Sequence, residues 1–350
     1  MDSATYSASS RLQAAGLRQA ITLFEKATQD VVLPRQPQPI AIADYGAATG
    51  YNSLLPVCAA IAVLRKRTRA DHAILVAHTD VADNDFSTLF ATLADDPDSY
   101  LKKDGATFAS AVGRSFYNQI LPSESIVLGW SSWAIHWLSR VPMPVPDHVH
   151  VSFSADEAAR LAYTRQAAED WHEFVAFRGR EMAPGGRLVV LTLAVDEDGG
   201  SGFRPVFDAL QAALRGLVSD GFLSTAEAAR MTIPTVGRSE KEFRAPFAPS
   251  GRFEGLSIEH LELFNGEDRF FTQYQRDGDA TAFGRNWAAF LRAAIVPTLA
   301  TGLDDDTDDT RAAEFVQQLE AGVAARLAAA PQETRIPLAN VVLAKRLRSA

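Results

Sequence analysis

Across residues 11–30 the apolar positions Leu12, Ala15, Leu17, Ala20, Ile21 and Phe24 recur at close to helical spacing, which predicts an amphipathic helix ended by Pro34, Pro37 and Pro39. The next segment, IAIADYG (40–46), is a short apolar run that closes on an acid and a glycine, the pattern of a buried parallel strand entering its turn. Residues 52–66 read as the following helix, and AILVAHTD (73–80) as a second buried strand that again ends in an acid. Residues 84–93 predict a helix, TFASAVG (107–113) a short strand or turn, and SIVLGWSS (125–132) another strand.

WAIHWLS (133–139) reads as a helical turn or two, and 154–182 as a long amphipathic helix opened by Ser154 as its cap and stopped by Pro184-Gly185-Gly186. RLVVLTLAV (187–195) is the next predicted strand. Strand and helix alternating in this way predict a parallel sheet with helices on both faces. From 199 to 255 the pattern changes to helices at 205–218 and after Ser224, then an irregular stretch with Pro234, Pro246 and Pro249. Strand patterns return at LSIEHLELF (256–264) and LANVVLAKR (338–346), separated by helices around 281–299 and 310–329. The expected organisation is therefore a core of 1–198 and 256–350, with 199–255 inserted as a mainly helical cap. No internal repeat is visible.

Composition narrows the classes of function. With 350 residues, 47% hydrophobic and 22% charged, the chain is long enough for a large core and too apolar to be disordered. The net charge of -9, with five acids in the run 304–309 and basic residues gathered only around Arg65 to Arg69, argues against binding a phosphate backbone. One cysteine, Cys58, makes no internal disulfide and no cysteine metal cluster, so no metal is expected and a reducing compartment is. The N-terminus lacks an apolar leader and no window approaches a membrane span, so the expected location is the cytoplasm.

The candidate chemistry begins at DYGAATG (44–50), where Gly46 and Gly50 let the backbone turn tightly and approach a ligand at the start of a helix. Ala48 stands where a dinucleotide fingerprint needs glycine, which disfavours a nicotinamide-dependent oxidoreductase. The spacing suits an S-adenosylmethionine turn, with Asp80 at the next strand end for ribose hydroxyls. A generic nucleotide pocket and a purely structural turn fit the same spacing.

Longer words in a fixed order carry a family resemblance. YSASSRLQ (6–13), IADYGAATGYNSLLPV (42–57), DNDFSTLF (83–90), GRSFYNQILP (113–122), SSWAIHWLSRVP (131–142), DWHEFVAFRGREMAPGGRLVVLTL (170–193) and the last strand run through essentially the whole chain. In these the sequence resembles the SABATH group of S-adenosylmethionine-dependent carboxyl and N-methyltransferases, which methylate acids such as salicylate, benzoate, jasmonate and indoleacetate, and caffeine precursors. The resemblance implies an α/β fold, a Rossmann-like methyltransferase sheet with an inserted mainly helical cap. It implies S-adenosylmethionine as cofactor, with S-adenosylhomocysteine as product, held by Tyr6, Ser10, Asp44, Gly46, Asn52, Asp80, Val81, Ser115 and Phe116.

For the acceptor, the resemblance implies that Gln13 and Trp137 orient a carboxylate, since a side-chain amide and an indole N–H are both donors. Trp133, His136 and Leu210 are the further expected substrate contacts. The implied reaction converts a small aromatic, indolic or fatty acid to its methyl ester, and a homodimer is expected on the same ground, with neither nucleic acid nor membrane as partner. The chain departs from the family's words in several places. Ala47-Ala48-Thr49 replaces Cys-Ser-Ser, Tyr51 replaces proline, and Tyr6-Ser7-Ala8-Ser9-Ser10 replaces Tyr-x-x-Asn-Ser. Trp133 replaces a tyrosine, and His136 replaces the methionine of carboxylate-specific members. A histidine there resembles members that methylate xanthine nitrogens, so N-methylation of a planar heterocycle is the alternative reaction, and a non-catalytic binding relative the alternative class.

Overall fold

The computed structural model describes residues 16–196, 198–304 and 307–347. Seven strands form one sheet: β1 (Ile40–Tyr45), β2 (Ile74–Asp80), β3 (Thr107–Gly113), β4 (Ile126–Ser132), β5 (Met182–Leu193), β6 (Leu256–Asn265) and β7 (Pro337–Lys345). Their spatial order is β3-β2-β1-β4-β5-β7-β6. The pairs β1·β2, β1·β4, β2·β3 and β4·β5 are parallel, whereas β7 runs antiparallel to both β5 and β6. The parallel sheet expected from the pattern is therefore mixed at one end. An apolar run such as LANVV looks the same in either direction, and β7 is buried along nearly its whole length between two neighbours.

The chain reverses its order between β1 and β4, where ligands bind in open α/β sheets, beyond the carboxyl ends of the strands. Helix α1 (Leu17–Asp30) buries Ala20, Phe24 and Ala27, and α2 (Tyr51–Arg65) follows β1 directly. Helices α3 (Phe86–Asp95) and α4 (Tyr100–Lys103) link β2 to β3. The long helix α5 is Glu157–Glu181, and its cap is Asp156, whose side chain accepts the Ala159 amide. Ser154, the residue expected as cap, instead stands before the helix and donates from its hydroxyl to Asp147 Oδ1.

Two further expectations are corrected by the backbone. Pro184-Gly185-Gly186 does not stop α5, because Met182 is already extended and β5 starts there. The three residues instead form an irregularity inside β5, where the register against β4 jumps from Ile126↔Met182 to Leu128↔Arg187 and Gly185 takes φ +81. Residues 133–139 form no helix. Trp133 has φ +55, which breaks helical continuation at its first residue, and Trp137 pairs with Thr235 in an antiparallel bridge.

Beyond β5 lie α6 (Arg204–Ser219), α7 (Thr225–Arg230) and α8 (Glu240–Arg244), followed after β6 by α9 (Arg269–Asp277), α10 (Ala280–Ala294), α11 (Val296–Ala300) and α12 (Asp309–Ala329). Helix α12 packs on both α6 and α10, and Leu210, Leu214, Phe283, Trp287, Phe315 and Leu319 share one apolar cluster. The wall above the strand ends is thus built from two separate stretches, 204–219 and 280–329. Among the described residues no helix is long and apolar enough to cross a membrane.

Candidate active site

Three turns, after β1, β3 and β4, meet at the carboxyl ends of the strands. The first follows β1. Gly46 adopts φ +86, and a Cβ there would collide with the Ala134 side chain, so glycine lets the first and third turns touch. The Gly46 and Ala47 amides donate to the Thr79 carbonyl at 2.9 and 3.0 Å. Ala48, at φ +45, donates its amide to Asp80 Oδ2 at 2.7 Å, and the Val81 amide donates to Asp80 Oδ1 at 2.8 Å. Each Asp80 oxygen keeps a lone pair for a ligand. Burial pushes the Asp80 carboxyl above its ordinary value, and the two amide bonds oppose that shift.

Asp44, at the end of β1, is buried, with Oδ2 2.8 Å from His78 Nδ1, and His78 Nε2 lies 2.8 Å from the Tyr100 hydroxyl. This buried chain ties the floor of the first turn to β2 and α4. Asn52 lies in the first turn of α2, and Val81 is half exposed at the end of β2.

The second turn follows β3 and carries Ser115 and Phe116. Phe116 packs edge-on against Tyr117 and Phe174, with ring centroids 4.8 and 5.8 Å apart, and lies beside Gly46. Its backbone is pinned from α5. The fully buried Arg178 donates to the Phe116 and Asn118 carbonyls at 2.7 and 2.9 Å, pairs with Glu181 at 2.9 Å and lies 4.4 Å from the Tyr45 ring centroid. Glu181 Oε1 accepts the Ile120 and Leu121 amides at 2.7 and 3.0 Å, while Oε2 accepts the Tyr45 hydroxyl at 2.8 Å. The pair is supported because both terminal guanidinium nitrogens of Arg178 and both Glu181 oxygens are hydrogen-bonded, while Arg178 Nε has no partner among the described residues.

The third turn, after β4, presents Trp133, His136 and Trp137. It is held by groups that no local sequence motif marks. Buried Arg238 donates to the Ile135 carbonyl at 2.7 Å and to the Ala167 carbonyl, and the Tyr117 hydroxyl donates to the Trp137 carbonyl at 2.5 Å. Asp170 closes the turn by accepting the Ser139 amide and hydroxyl at 2.8 and 2.6 Å. His136 is buried, and its Nδ1 has no hydrogen-bond partner among the described residues. Burial, with Arg238 and His150 nearby, pushes its pKa down to about 3. It is neutral at physiological pH.

Between these turns and the helical wall lies a cavity of about 320 Å³. Ala48, Thr49 and Asn52 line it from the first turn, Trp133, His136 and Trp137 from the third, and Phe203, Phe207 and Phe290 from the wall. Of the expected substrate contacts, Leu210 is not in the lining; it is fully buried in the core of α6, and that helix reaches the cavity one turn earlier through Phe207. Tyr6, Ser10 and Gln13 lie outside the described residues. Three of the five non-glycine residues at positive φ among the described residues, Ala48, Trp133 and Phe203, line this cavity, and such strained positions concentrate at functional sites.

Phe203 and Phe207 were hidden in the sequence because the first stands just before a helix and the second on its apolar face, where a pocket residue and a core residue look alike. Arg178 did carry a signal, as an arginine on the buried face of α5 beside Phe174 and Val175. The donor set suits S-adenosylmethionine: carboxylates for its hydroxyl and ammonium groups, an aromatic ring beside a glycine turn, and a neighbouring apolar cavity. Among the described residues no group of three histidine, cysteine or acidic side chains could hold a metal ion.

Comparison with known proteins agrees with this arrangement. Residues 1–345 match the profile of the family described as SAM-dependent carboxyl methyltransferases. Methyltransferase LUC1 of Fusarium sp. is 32% identical over 239 residues, which cover 67% of this chain and 62% of that protein. Salicylate carboxymethyltransferase of Clarkia breweri is 27% identical over 274 residues, 74% of each chain. Among solved structures, loganic acid methyltransferase with SAH superposes with a TM-score of 0.78 at 20% identity, covering 99% of this chain and 97% of that one, which establishes a shared fold.

Proposed function

Since the chain belongs to the SABATH family of S-adenosylmethionine-dependent carboxyl methyltransferases, we propose that its cavity holds a small aromatic or indolic acid with the carboxylate at Trp137, facing the methyl donor. The carrying observation is that one cavity is lined both by the turn after β1 and by Trp137, so the donor side and the acceptor side open on each other. The relatives' names support an acid as acceptor: they include a salicylate carboxymethyltransferase and a salicylate/benzoate carboxyl methyltransferase of Arabidopsis thaliana. The aromatic walls suit a flat ring.

The chemistry that S-adenosylmethionine supplies when bound is a sulfonium methyl group, passed to a carboxylate oxygen to leave a methyl ester and S-adenosylhomocysteine. Asp80 would accept from its ribose hydroxyls, Asp44 would serve the methionine end and Phe116 would cover the adenine, with Tyr6, Ser10, Asn52, Val81 and Ser115 as the further residues that would hold it. A carboxylic acid with a pKa of about 4 is already ionised at neutral pH, so the protein need supply no base. Its task is alignment. The Trp137 indole N–H and the Gln13 amide would donate to the carboxylate and fix its orientation, and such positioning can contribute about 7–11 kcal/mol in the best intramolecular cases. The apolar walls exclude water, so the carboxylate's hydration shell gives way to a few fixed donors.

His136 supports this reading over nitrogen methylation. A ring whose conjugate acid has a pKa of about 3 is a poor proton acceptor at neutral pH. Its place is in the wall, beside Trp133 and Trp137, with ring centroids 6.2 and 6.0 Å away. We place the protein in the cytoplasm on its single cysteine, and as a homodimer by analogy with the family.

The test is transfer of labelled methyl from S-adenosylmethionine to a panel of aromatic, indolic and aliphatic acids with xanthines included, followed by mild base. Label released as methanol is the expected outcome. Base-stable label on a heterocycle would overturn the assignment.

A further inference from the structure

Behind the cavity wall lies His150, buried, its ring stacked on Phe207 with centroids 4.8 Å apart. Its Nδ1 accepts the Ser152 amide at 3.2 Å. Burial holds the ring's pKa down at about 3, so it is neutral and carries one proton. With Nδ1 an acceptor, that proton is on Nε2. Nε2 lies 3.1 Å from Thr235 Oγ1, so the imidazole is the donor and the threonine oxygen the acceptor.

The consequence falls on the threonine's own proton. His150 has no lone pair left to accept it, and among the described residues no other acceptor for the Thr235 hydroxyl is present. Thr235 is almost wholly buried and lines the cavity. It is the bridge partner of Trp137, and side chains on directly opposed residues lie on one face with Cβ atoms about 4.5–5.5 Å apart. Thr235 therefore shares the cavity lining with the tryptophan that is proposed to hold the carboxylate.

We propose that Thr235, oriented by His150, is a specificity-determining donor that selects acids carrying an uncharged oxygen acceptor close to the carboxylate: hydroxy, alkoxy or oxo acids. This rests on the proposed function, in which the acceptor is a carboxylic acid held at Trp137. A water can serve the hydroxyl while the cavity is empty, but a ligand that expels the water must replace its bond. An acid without the oxygen leaves a buried donor unpaired, whereas its oxygenated partner completes the chain Ser152–His150–Thr235–substrate. Sites built to hydrogen-bond a substrate oxygen discriminate strongly against the analogue that lacks it.

The experiment compares pairs of acids that differ by one oxygen, such as 2-hydroxybenzoate with benzoate, on the wild type, Thr235→Val, Thr235→Ser and His150→Phe. The wild type is expected to favour the oxygenated acid at least tenfold in kcat/KM. Thr235→Val should lose most of that preference through KM, Thr235→Ser should keep it, and His150→Phe should fall between. Equal losses on both members of a pair, or no preference in the wild type, overturn the proposal. If no acid is methylated, the proposed function fails on its own, and calorimetric titration of the same acids onto the protein with S-adenosylhomocysteine reads Thr235 separately. There, tighter binding of the oxygenated acid that disappears in Thr235→Val supports the inference, and its absence overturns it.

Discussion

The Tyr117 hydroxyl donates to the Trp137 carbonyl at 2.5 Å, so the turn that carries Ser115 and Phe116 is fastened to the turn that presents Trp137. The turns after β3 and β4 are thereby tied together at one point by a phenol. Tyr117→Phe keeps the ring and removes the bond. It should cost about 1 kcal/mol of stability in thermal unfolding. It should also lower kcat/KM for the acid more than it weakens S-adenosylhomocysteine binding, and a variant with unchanged kinetics would separate the two turns.

Trp137→Phe removes the indole N–H and keeps an aromatic wall. Methyl transfer should fall by about two orders of magnitude, within the range seen when one preorganised donor is deleted. Calorimetric S-adenosylhomocysteine affinity should stay within a factor of three, and Gln13→Ala should show the same split. Parallel losses in transfer and cofactor affinity would reject both roles.

Asp80→Asn tests the cofactor side without any reaction. The Ala48 and Val81 amides donate to its two oxygens, so an amide in that place sets an NH2 group against a backbone N–H. S-adenosylhomocysteine affinity should drop at least tenfold by calorimetry, with little change in the binding of an acid substrate.

Arg178→Met leaves Glu181 buried without its cation and strips the Phe116 and Asn118 carbonyls of their donor. Breaking a buried pair from one side costs about 3–5 kcal/mol. Chemical denaturation should show a loss of that size, and any folded protein that remains should bind S-adenosylhomocysteine poorly because the Phe116 loop has lost its anchor.

His136 and His150 give stability a defined pH dependence. Both have folded pKa values pushed down to about 3, below the usual value of 6.5. Between those values the unfolded chain binds more protons than the folded one, so stability rises with pH through this window and is fully present above it. Each ring contributes a slope of up to about 1.4 kcal/mol per pH unit there. The melting temperature should fall as pH drops below 6.5, and His136→Gln should shallow that fall while keeping carboxyl methylation at neutral pH. Loss of activity at every pH in that variant would make His136 a base.

Much of the fold was legible because its signals are local. Asp44, Gly46 and Asp80 stand at strand ends that any apolar run of six or seven residues announces, and α5 and α12 are long enough for their periodicity to show. Direction was not legible: β7 runs antiparallel, although nothing in its composition distinguishes it from a parallel strand. The stretch at Trp133 has helical apolar spacing yet forms no helix. Its path is set by contacts from far along the chain, Arg238 on Ile135 and Tyr117 on Trp137.

The sequence by itself determined the strand and helix segments, the glycine turn, the ordered words that place the chain in its family and the candidates Asp80, Trp133, His136 and Trp137. All of these depend on residues close together in the chain or on words read in order. Only the tertiary structure decided that Phe203, Phe207 and Phe290 join the tryptophans in lining the cavity, that Leu210 faces the core while Phe207 faces the cavity, and that His150 meets Thr235. Those relations join residues separated by tens of positions, and whether an apolar or polar side chain meets solvent, ligand or core depends on what the fold sets against it.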